Sequence, residues 1–152
     1  MKTALGLAVC LLIAASVGLA DERGSSVAFV LGPKHFSDGN AIVIEQVTAT
    51  SPNFAVGDKV TVRGRYTFTS EEKAKLCLYL TTSGDVGPGP VSPTQRTEVK
   101  NGSGTFELAE TLQHPGHLHL SFYGSGGKCL GTVYFGTEQQ MKEISHWNVR
   151  TY

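Results

Sequence analysis

The chain has 152 residues, and its 13 lysine and arginine side chains balance 13 aspartate and glutamate side chains, so the formal net charge at pH 7 is zero. This balance, without any run of like charges, argues against a nucleic-acid or anionic-membrane partner, because both attract a basic patch. The length fits one domain preceded by a short targeting segment.

The start of the chain has the pattern of a secretory signal peptide. Lys2 supplies a positive charge, residues 4–15 are almost wholly apolar, and Gly18-Leu19-Ala20 places small residues before a polar segment. The apolar run is shorter than the roughly 20 residues that a membrane-spanning helix needs. We therefore expect cleavage after Ala20 and a secreted mature chain, extracellular or periplasmic, with no membrane span.

Short β-prone segments follow one another along the mature chain. Residues 41–50 are rich in β-branched side chains, and residues 59–68 and 74–81 alternate apolar with polar side chains. Both patterns are typical of strands, the second of half-buried antiparallel strands. Residues 83–94 are rich in glycine and proline, which predicts a loop.

A turn signal lies near the middle of the chain. Asn101-Gly102 stands between two β-prone runs, residues 97–100 and 105–108, and this arrangement predicts a β-hairpin. Asn101-Gly102-Ser103 is also a glycosylation acceptor pattern, which has meaning if the source organism attaches such glycans.

The clearest strand follows a Pro-Gly turn at residues 115–116. Its side chains alternate strictly between apolar and polar, a period of two that marks a strand with two different faces. We expect one face to lie in the core and the other to face water. The expected core face carries Leu118, Leu120 and Phe122. The expected water-facing side carries His117, His119, Ser121 and Tyr123.

The C-terminal region predicts a short helix. Thr137 and Gln140 form a capping-box pattern. Met141, Ile144 and Trp147 are three residues apart and would share one side of the helix, where they could dock the tail on the sheet.

Together these elements predict an all-β fold, an antiparallel β-sandwich of about seven to eight strands with a short C-terminal helix or tail. The predicted organisation is a signal peptide over 1–20, an N-terminal strand and linker over 21–40, a β-sandwich domain over 41–136 and a tail over 137–152.

The order of apolar motifs resembles that of secreted immunoglobulin-like or fibronectin-type-III-like domains and is similar to small secreted bacterial proteins. The resemblance covers residues 41–136 and implies immunoglobulin-like topology. It implies no activity, because this fold hosts unrelated functions. The motifs are Ile42-x-Ile44, Gly57-Asp58-x-Val60, Leu76-x-Leu78-x-Leu80, Pro115-Gly116 followed by Leu118-x-Leu120, and Leu130-Gly131-x-Val133.

Two cysteines follow the predicted signal, Cys77 and Cys129. In an oxidising compartment two cysteines of one domain usually pair. The histidine strand would lie between their strands, however, and two strand spacings amount to about 9–10 Å. A disulfide needs Cα atoms within about 7 Å. It therefore forms only if Cys129 lies at the start of its strand, where Gly126-Gly127 lets the backbone bend, and both outcomes stay open.

The histidines suggest a metal site. His117 and His119 are alternate residues, about 6.6 Å apart at Cα, so both imidazoles could reach one ion. Cys77 or His114 would be the third ligand, a set that suits zinc or copper. The spacing His114-x-x-His117-x-His119 also resembles the copper strand of copper–zinc superoxide dismutases, although that family's zinc loop is missing here. The alternative is that the histidines bind no ion.

The sequence favours a secreted, non-enzymatic binding or structural accessory module whose partner is a protein or a cell-surface component. The expected ligand face carries Tyr79, His117, His119 and Tyr123, because aromatic and imidazole groups give contact area at a low entropic cost. The alternative is a periplasmic or extracellular protein that binds zinc or copper. An enzyme ranks last, since no catalytic triad, carboxylate pair or phosphate loop is evident.

Overall fold

The computed structural model describes residues 24–82 and 91–150, so the predicted signal peptide over 1–20 lies outside the described residues. Most of the described residues lie in β-strands and the chain has one short helix there, which confirms the all-β prediction. Two 3-10 turns, Pro93–Gln95 and Ser125–Gly127, connect strands. The elements are β1 (Ser25–Ser26), β2 (Val30–Phe36), β3 (Ala41–Ala49), β4 (Lys59–Thr81), β5 (Arg96–Thr111), β6 (His117–Tyr123), β7 (Cys129–Gly136) and α1 (Glu138–Glu143).

The seven strands form one antiparallel sheet in the order β1-β3-β4-β6-β7-β2, with β5 paired to β4. The first part of β4 lies between β3 and β5, and its second part lies between β5 and β6. The histidine strand β6 lies between β4, which carries Cys77, and β7, which carries Cys129, as the sequence predicted.

The long β4–β5 ribbon bends where the pairing changes register. Phe68 pairs with Gly102 and Lys73 pairs with Lys100, so residues 69–72 of β4 bulge opposite Asn101. The amide of Asn101 donates hydrogen bonds to two carbonyl oxygens of this bulge, at 3.3 and 3.2 Å. Gly102 takes a positive φ of 113° that favours glycine. The hairpin predicted at Asn101-Gly102 is therefore wrong: β5 runs through it, because pairing along β4 outweighs the local turn signal.

The curled sheet encloses the main core. The predicted core face of β6 is confirmed, since Leu118, Leu120 and Phe122 are 2%, 0% and 0% exposed. Phe54, in the loop before β4, and Phe135 of β7 meet edge to face with ring centroids 6.4 Å apart. The curl thus brings distant parts of the chain together across one apolar interior.

Helix α1 begins as its sequence predicts. The hydroxyl of Thr137 accepts a hydrogen bond from the backbone N–H of Gln140 at 3.2 Å. In return, the side-chain Oε1 of Gln140 accepts from the backbone N–H of Thr137 at 2.9 Å. Met141 and Ile144 are buried and Trp147 packs beside them, which confirms the predicted docking of the tail. Among the described residues no helix combines the length and apolar character that a membrane crossing requires.

Candidate functional site

Most of the polar face of β6 is buried. His117, His119 and Ser121 are 9%, 8% and 1% exposed, so the prediction that this face is solvent-facing is wrong. The cause is a second apolar layer on the outside of the sheet. It consists of Tyr134, Met141, Ile144 and Val149, with Trp147 packed against it.

His117 lies under the C-terminal tail. Its ring packs against Trp147, with centroids 5.3 Å apart and an interplanar angle of 69°. Its Nε2 is 3.4 Å from Oε2 of Glu143, at the end of α1. Its Nδ1 is buried and has no hydrogen-bond partner among the described residues. The tail therefore covers this histidine instead of presenting it to a partner.

His119 is held by a short chain of hydrogen bonds. Its Nδ1 lies 2.8 Å from Oγ of Ser121, and that hydroxyl donates to Oγ1 of Thr132 at 2.7 Å. Because the Ser121 proton is directed to Thr132, Nδ1 carries the imidazole proton and donates to Ser121. Burial lowers the pKa of His119 to about 4, so the ring is neutral at physiological pH.

The structure does not gather the candidate zinc or copper ligands into one group. The described residues contain no group of three or more His, Cys, Asp or Glu side chains that could hold a metal ion. His117 is turned to Glu143 and Trp147, whereas His119 is bound to Ser121. His114 lies in the loop between β5 and β6, where it lines a cleft. The two alternate histidines share a face but are oriented by different partners.

Cys77 and Cys129 are free thiols. Cys77 pairs with Ser121 of β6, and Cys129 pairs with Tyr123, so β6 separates the two cysteines. Cys129 does lie at the start of β7, yet its Sγ is directed to the carbonyl of Gly131 at 3.7 Å. The possible disulfide is thus absent, because the strands of the two cysteines are separated by β6.

The four residues of the predicted ligand face belong to one row of rings on the outside of the sheet. Neighbouring rings contact each other mostly edge to face or tilted, as aromatic rings prefer. In order the rings are Tyr123, Tyr79, His119, Tyr134, Trp147 and His117, with centroids 5.9, 6.2, 4.8, 5.6 and 5.3 Å apart. The row is continuous, but most of its rings contact one another inside the fold and are not free to contact a ligand.

One end of this row borders a cavity of about 520 Å³. Cys77, Tyr79 and Tyr123 line it, together with charged side chains of both signs, Glu71, Glu72, Lys73, Lys75, Arg96 and Glu98. Burial raises the pKa of Tyr123 to about 12 and also raises the pKa of the Cys77 thiol. The Cys77 thiol and the Tyr123 phenol are therefore neutral at physiological pH.

The larger cleft, of about 680 Å³, opens where β5 parts from β4. Their pairing ends at Cys77 and Arg96, so the last residues of β4 lack β5 as a neighbour. Because the sheet curls, the far end of β5 approaches this gap. The lining is Lys59, Tyr79, Leu80, Thr81, Thr82, Val91, Ser92, Thr94, Gln95, Ala109, Glu110, Thr111, Gln113, His114 and His119.

The 3-10 turn before β5 fixes one wall of the cleft. Gln95 Nε2 donates to the carbonyl of Leu78 at 3.3 Å, and Gln95 Oε1 accepts from the N–H of Ser92 at 2.6 Å. The hydroxyl of Thr94 donates to the carbonyl of Ala109 at 3.0 Å. Through these hydrogen bonds the turn links the end of β4 to the far end of β5, and the cleft lies between them.

Two polar atoms of cleft-lining residues are buried without a partner. They are Oε2 of Glu110 and Nε2 of His114, neither of which has a hydrogen bond within the described part of the chain. Burial raises the pKa of Glu110 to about 7, against the lowering effect of a hydrogen bond from Gln95. Buried polar atoms without partners are uncommon in native proteins.

Glu110 was not predicted as a site residue, although the sequence holds a signal for it. Phe106, Leu108 and Leu112 are alternate residues that are all buried. Glu110 occupies the same register, and it pairs with the core residue Val60. A carboxyl group on the apolar side of an alternating strand is the pattern that identifies it. Of the predicted ligand face, Tyr79 and His119 line the cleft and His117 and Tyr123 do not.

Comparison with protein-family models, with curated proteins and with solved structures finds no match for this chain.

Proposed function

We propose that this chain is a secreted, non-enzymatic binding module that holds a small organic ligand in the cleft between the ends of β4 and β5. The observation that carries the proposal is the pair of buried, partnerless polar atoms on cleft residues, Glu110 Oε2 and His114 Nε2. The cleft volume of about 680 Å³ lies within the range of roughly 300–1,000 Å³ for small-molecule sites.

The mixture of groups in the cleft supports ligand binding. Tyr79, Leu80 and Val91 offer apolar contact, whereas Glu110 and His114 offer hydrogen bonds. Small-molecule sites combine an apolar lining with a few polar groups that fix the orientation of the ligand.

The nearest histidine–serine pair favours binding over catalysis. Ser121 is 1% exposed, and its hydroxyl accepts from His119 and donates to Thr132. A serine nucleophile needs its hydroxyl directed at the substrate and its proton directed at the base. Here the hydroxyl proton of Ser121 is directed to Thr132, so the His119–Ser121 pair has a structural role.

A fragment screen by nuclear magnetic resonance tests this proposal. The probes are anionic, neutral and cationic fragments at millimolar concentration, and the protein is labelled with ¹⁵N. We expect binding fragments to shift the backbone amides of residues 79–82 and 109–114. If no fragment shifts them, or if all shifts fall elsewhere, the proposed cleft function is overturned.

Substitutions that fill the cleft locate the binding. Ala109→Trp and Val91→Trp place a large ring in the cleft, and Val91 tolerates it better because 44% of it is exposed. Lys100→Trp, at an exposed position of β5 outside the cleft, is the matched control. We expect the first two to reduce fragment affinity about tenfold or more, and the control to leave it unchanged.

We also propose that residues 1–20 direct export of the chain and are removed. The charged start, the apolar run and the small residues before Asp21 support this. N-terminal sequencing of the exported protein should begin at Asp21. An exported protein that retains Met1 would contradict cleavage.

We propose in addition that the curled sheet is a variant of the immunoglobulin-like sandwich. The support is the bend at residues 69–72, which turns the two parts of the β4–β5 ribbon toward each other over one core. A crystal structure should show the strand order of the sheet closed into two facing layers. An open sheet without a second layer would contradict the proposal.

A further inference from the structure

We propose that the ligand of the cleft is an organic amine, whose ammonium group pairs with the carboxylate of Glu110 and whose apolar body lies against the ring of Tyr79. This inference rests on the function proposed above and deepens it by naming the class of ligand.

The position of Glu110 supplies the first argument. The carboxyl lies on the core-facing side of β5, opposite Val60, with Oε2 shielded from water. Within the described chain no lysine or arginine forms an ion pair with it. A buried carboxylate without a counter-charge is costly, and a cation that enters the site removes this cost. The carboxyl group of Glu110 therefore favours a positive group in the cleft.

Tyr79 supplies the second argument. Its half-buried ring lines the same cleft. Burial and then a hydrogen bond with Cys77 raise the pKa of Tyr79 to about 12; the positive charge of Arg96 opposes this shift, and the charge of Glu110 adds to it. The carboxylate and the phenol are thus within electrostatic reach of each other. An ammonium group between them gains a charge-assisted hydrogen bond and contact with an aromatic face.

The other titratable groups that line the cleft do not replace this cation. Lys59 is exposed, so its ammonium group stays hydrated. His119 is kept neutral by burial, and Tyr79 stays a neutral phenol below about pH 12. His114 presents a buried ring nitrogen without a partner, which can bond to a polar group of the ligand. Among the described lining residues, Glu110 is the one carboxyl group.

This arrangement links ligand binding to a proton. Burial holds the pKa of Glu110 near 7, so the empty cleft contains a mixture of the acid and the carboxylate at neutral pH. An amine binds the carboxylate and displaces the proton. Its affinity should therefore rise about tenfold per pH unit below pH 6 and level off above about pH 7.

Benzylamine and benzyl alcohol are suitable probes, because they have nearly the same shape and differ in charge. Titration calorimetry of the full protein, from about pH 5 to pH 8, measures both affinities and the protons released. We expect benzylamine to bind about tenfold more tightly than benzyl alcohol at pH 8, with release of up to one proton near pH 6. Equal affinities, or benzylamine affinity independent of pH, would overturn the amine proposal.

Glu110→Gln keeps the size of the side chain and removes its charge. We expect this variant to lose both the preference for benzylamine and the pH dependence, whereas Glu72→Gln, at an exposed position outside the cleft, keeps both. A Glu110→Gln protein that still prefers benzylamine contradicts the role of this carboxyl. If benzyl alcohol and anionic fragments bind in the cleft and benzylamine does not, the amine inference fails while the proposed binding function stands.

Discussion

The ring of His117 lies edge-on to that of Trp147, with centroids 5.3 Å apart, although 30 residues separate them along the chain. Trp147 also meets Tyr134 at 5.6 Å. Through these contacts the C-terminal tail becomes a cover for the outer face of the sheet. The histidine strand is therefore enclosed from both sides, by the main core and by the tail.

Trp147→Ala should loosen this cover. The indole is partly exposed, so we expect a loss of about 1–3 kcal/mol in the free energy of unfolding, less than for a fully buried tryptophan. Urea denaturation followed by circular dichroism measures it, because the variant has no tryptophan left to report by fluorescence. His146→Ala, at an exposed neighbouring position, is the control. Equal midpoints for wild type and Trp147→Ala would show that the tail is not part of the folded unit.

His119 should make the protein less stable in acid. Burial lowers its pKa from 6.5 to about 4 in the folded chain, so the unfolded chain binds the proton first. The stability from this group is fully present above about pH 6.5 and is lost as the pH falls through about 4, ~3 kcal/mol in total. Urea midpoints as a function of pH measure it. His119→Gln should remove this component and His146→Gln should keep it; an unchanged profile in His119→Gln would contradict the burial effect.

Glu110 should act in the opposite direction. Its pKa rises from 4.5 to about 7 on folding, so the folded chain holds the proton more tightly. The stability that this group contributes at low pH is lost as the pH rises from about 4.5 through about 7. Between about pH 5 and pH 6.5 it therefore offsets the effect of His119. We expect Glu110→Gln to show a steeper rise of stability with pH than wild type, by the same urea series; a shallower rise would contradict the shifted pKa.

The two thiols should differ in reactivity. Cys77 is 1% exposed and burial raises its pKa, whereas Cys129 is partly exposed at the start of β7. A thiol-specific reagent should modify Cys129 first and Cys77 at the rate of unfolding, because the thiolate is the reactive form. In denaturant both should react. Cys129→Ser should leave one slow thiol, and a denatured, unreduced chain without reactive thiols would show that a disulfide forms after all.

Asp58 should anchor the loop before β4. Its carboxylate accepts hydrogen bonds from Thr50, Ser51 and the N–H of Ala55. Burial acts to raise its pKa, but these three bonds outweigh it and the pKa is lowered. Asp58→Ala should cost about 2–4 kcal/mol in the free energy of unfolding, measured in urea. Asn53→Ala in the same loop should cost little, because Asn53 is exposed; equal losses for both variants would contradict the anchoring role.

Local patterns in the sequence were reliable where short-range geometry decides the outcome. Alternation placed Leu118, Leu120 and Phe122 in the core, and the capping box at Thr137 began the helix where expected. The Asn-Gly turn signal failed, because a long strand pairing competed with it. Gly102 still takes its positive φ, but inside a bend of the ribbon and not at a hairpin tip.

The sequence by itself determined an all-β chain, its central histidine strand and the two faces of that strand, because a period of two follows directly from strand geometry. Only the tertiary structure decided that the second face is covered, that the cysteines lie on opposite sides of β6, and that Glu110 and Tyr79 share a cleft. These relationships depend on contacts between residues far apart in the chain, and alternation within one strand carries no information about what packs over it.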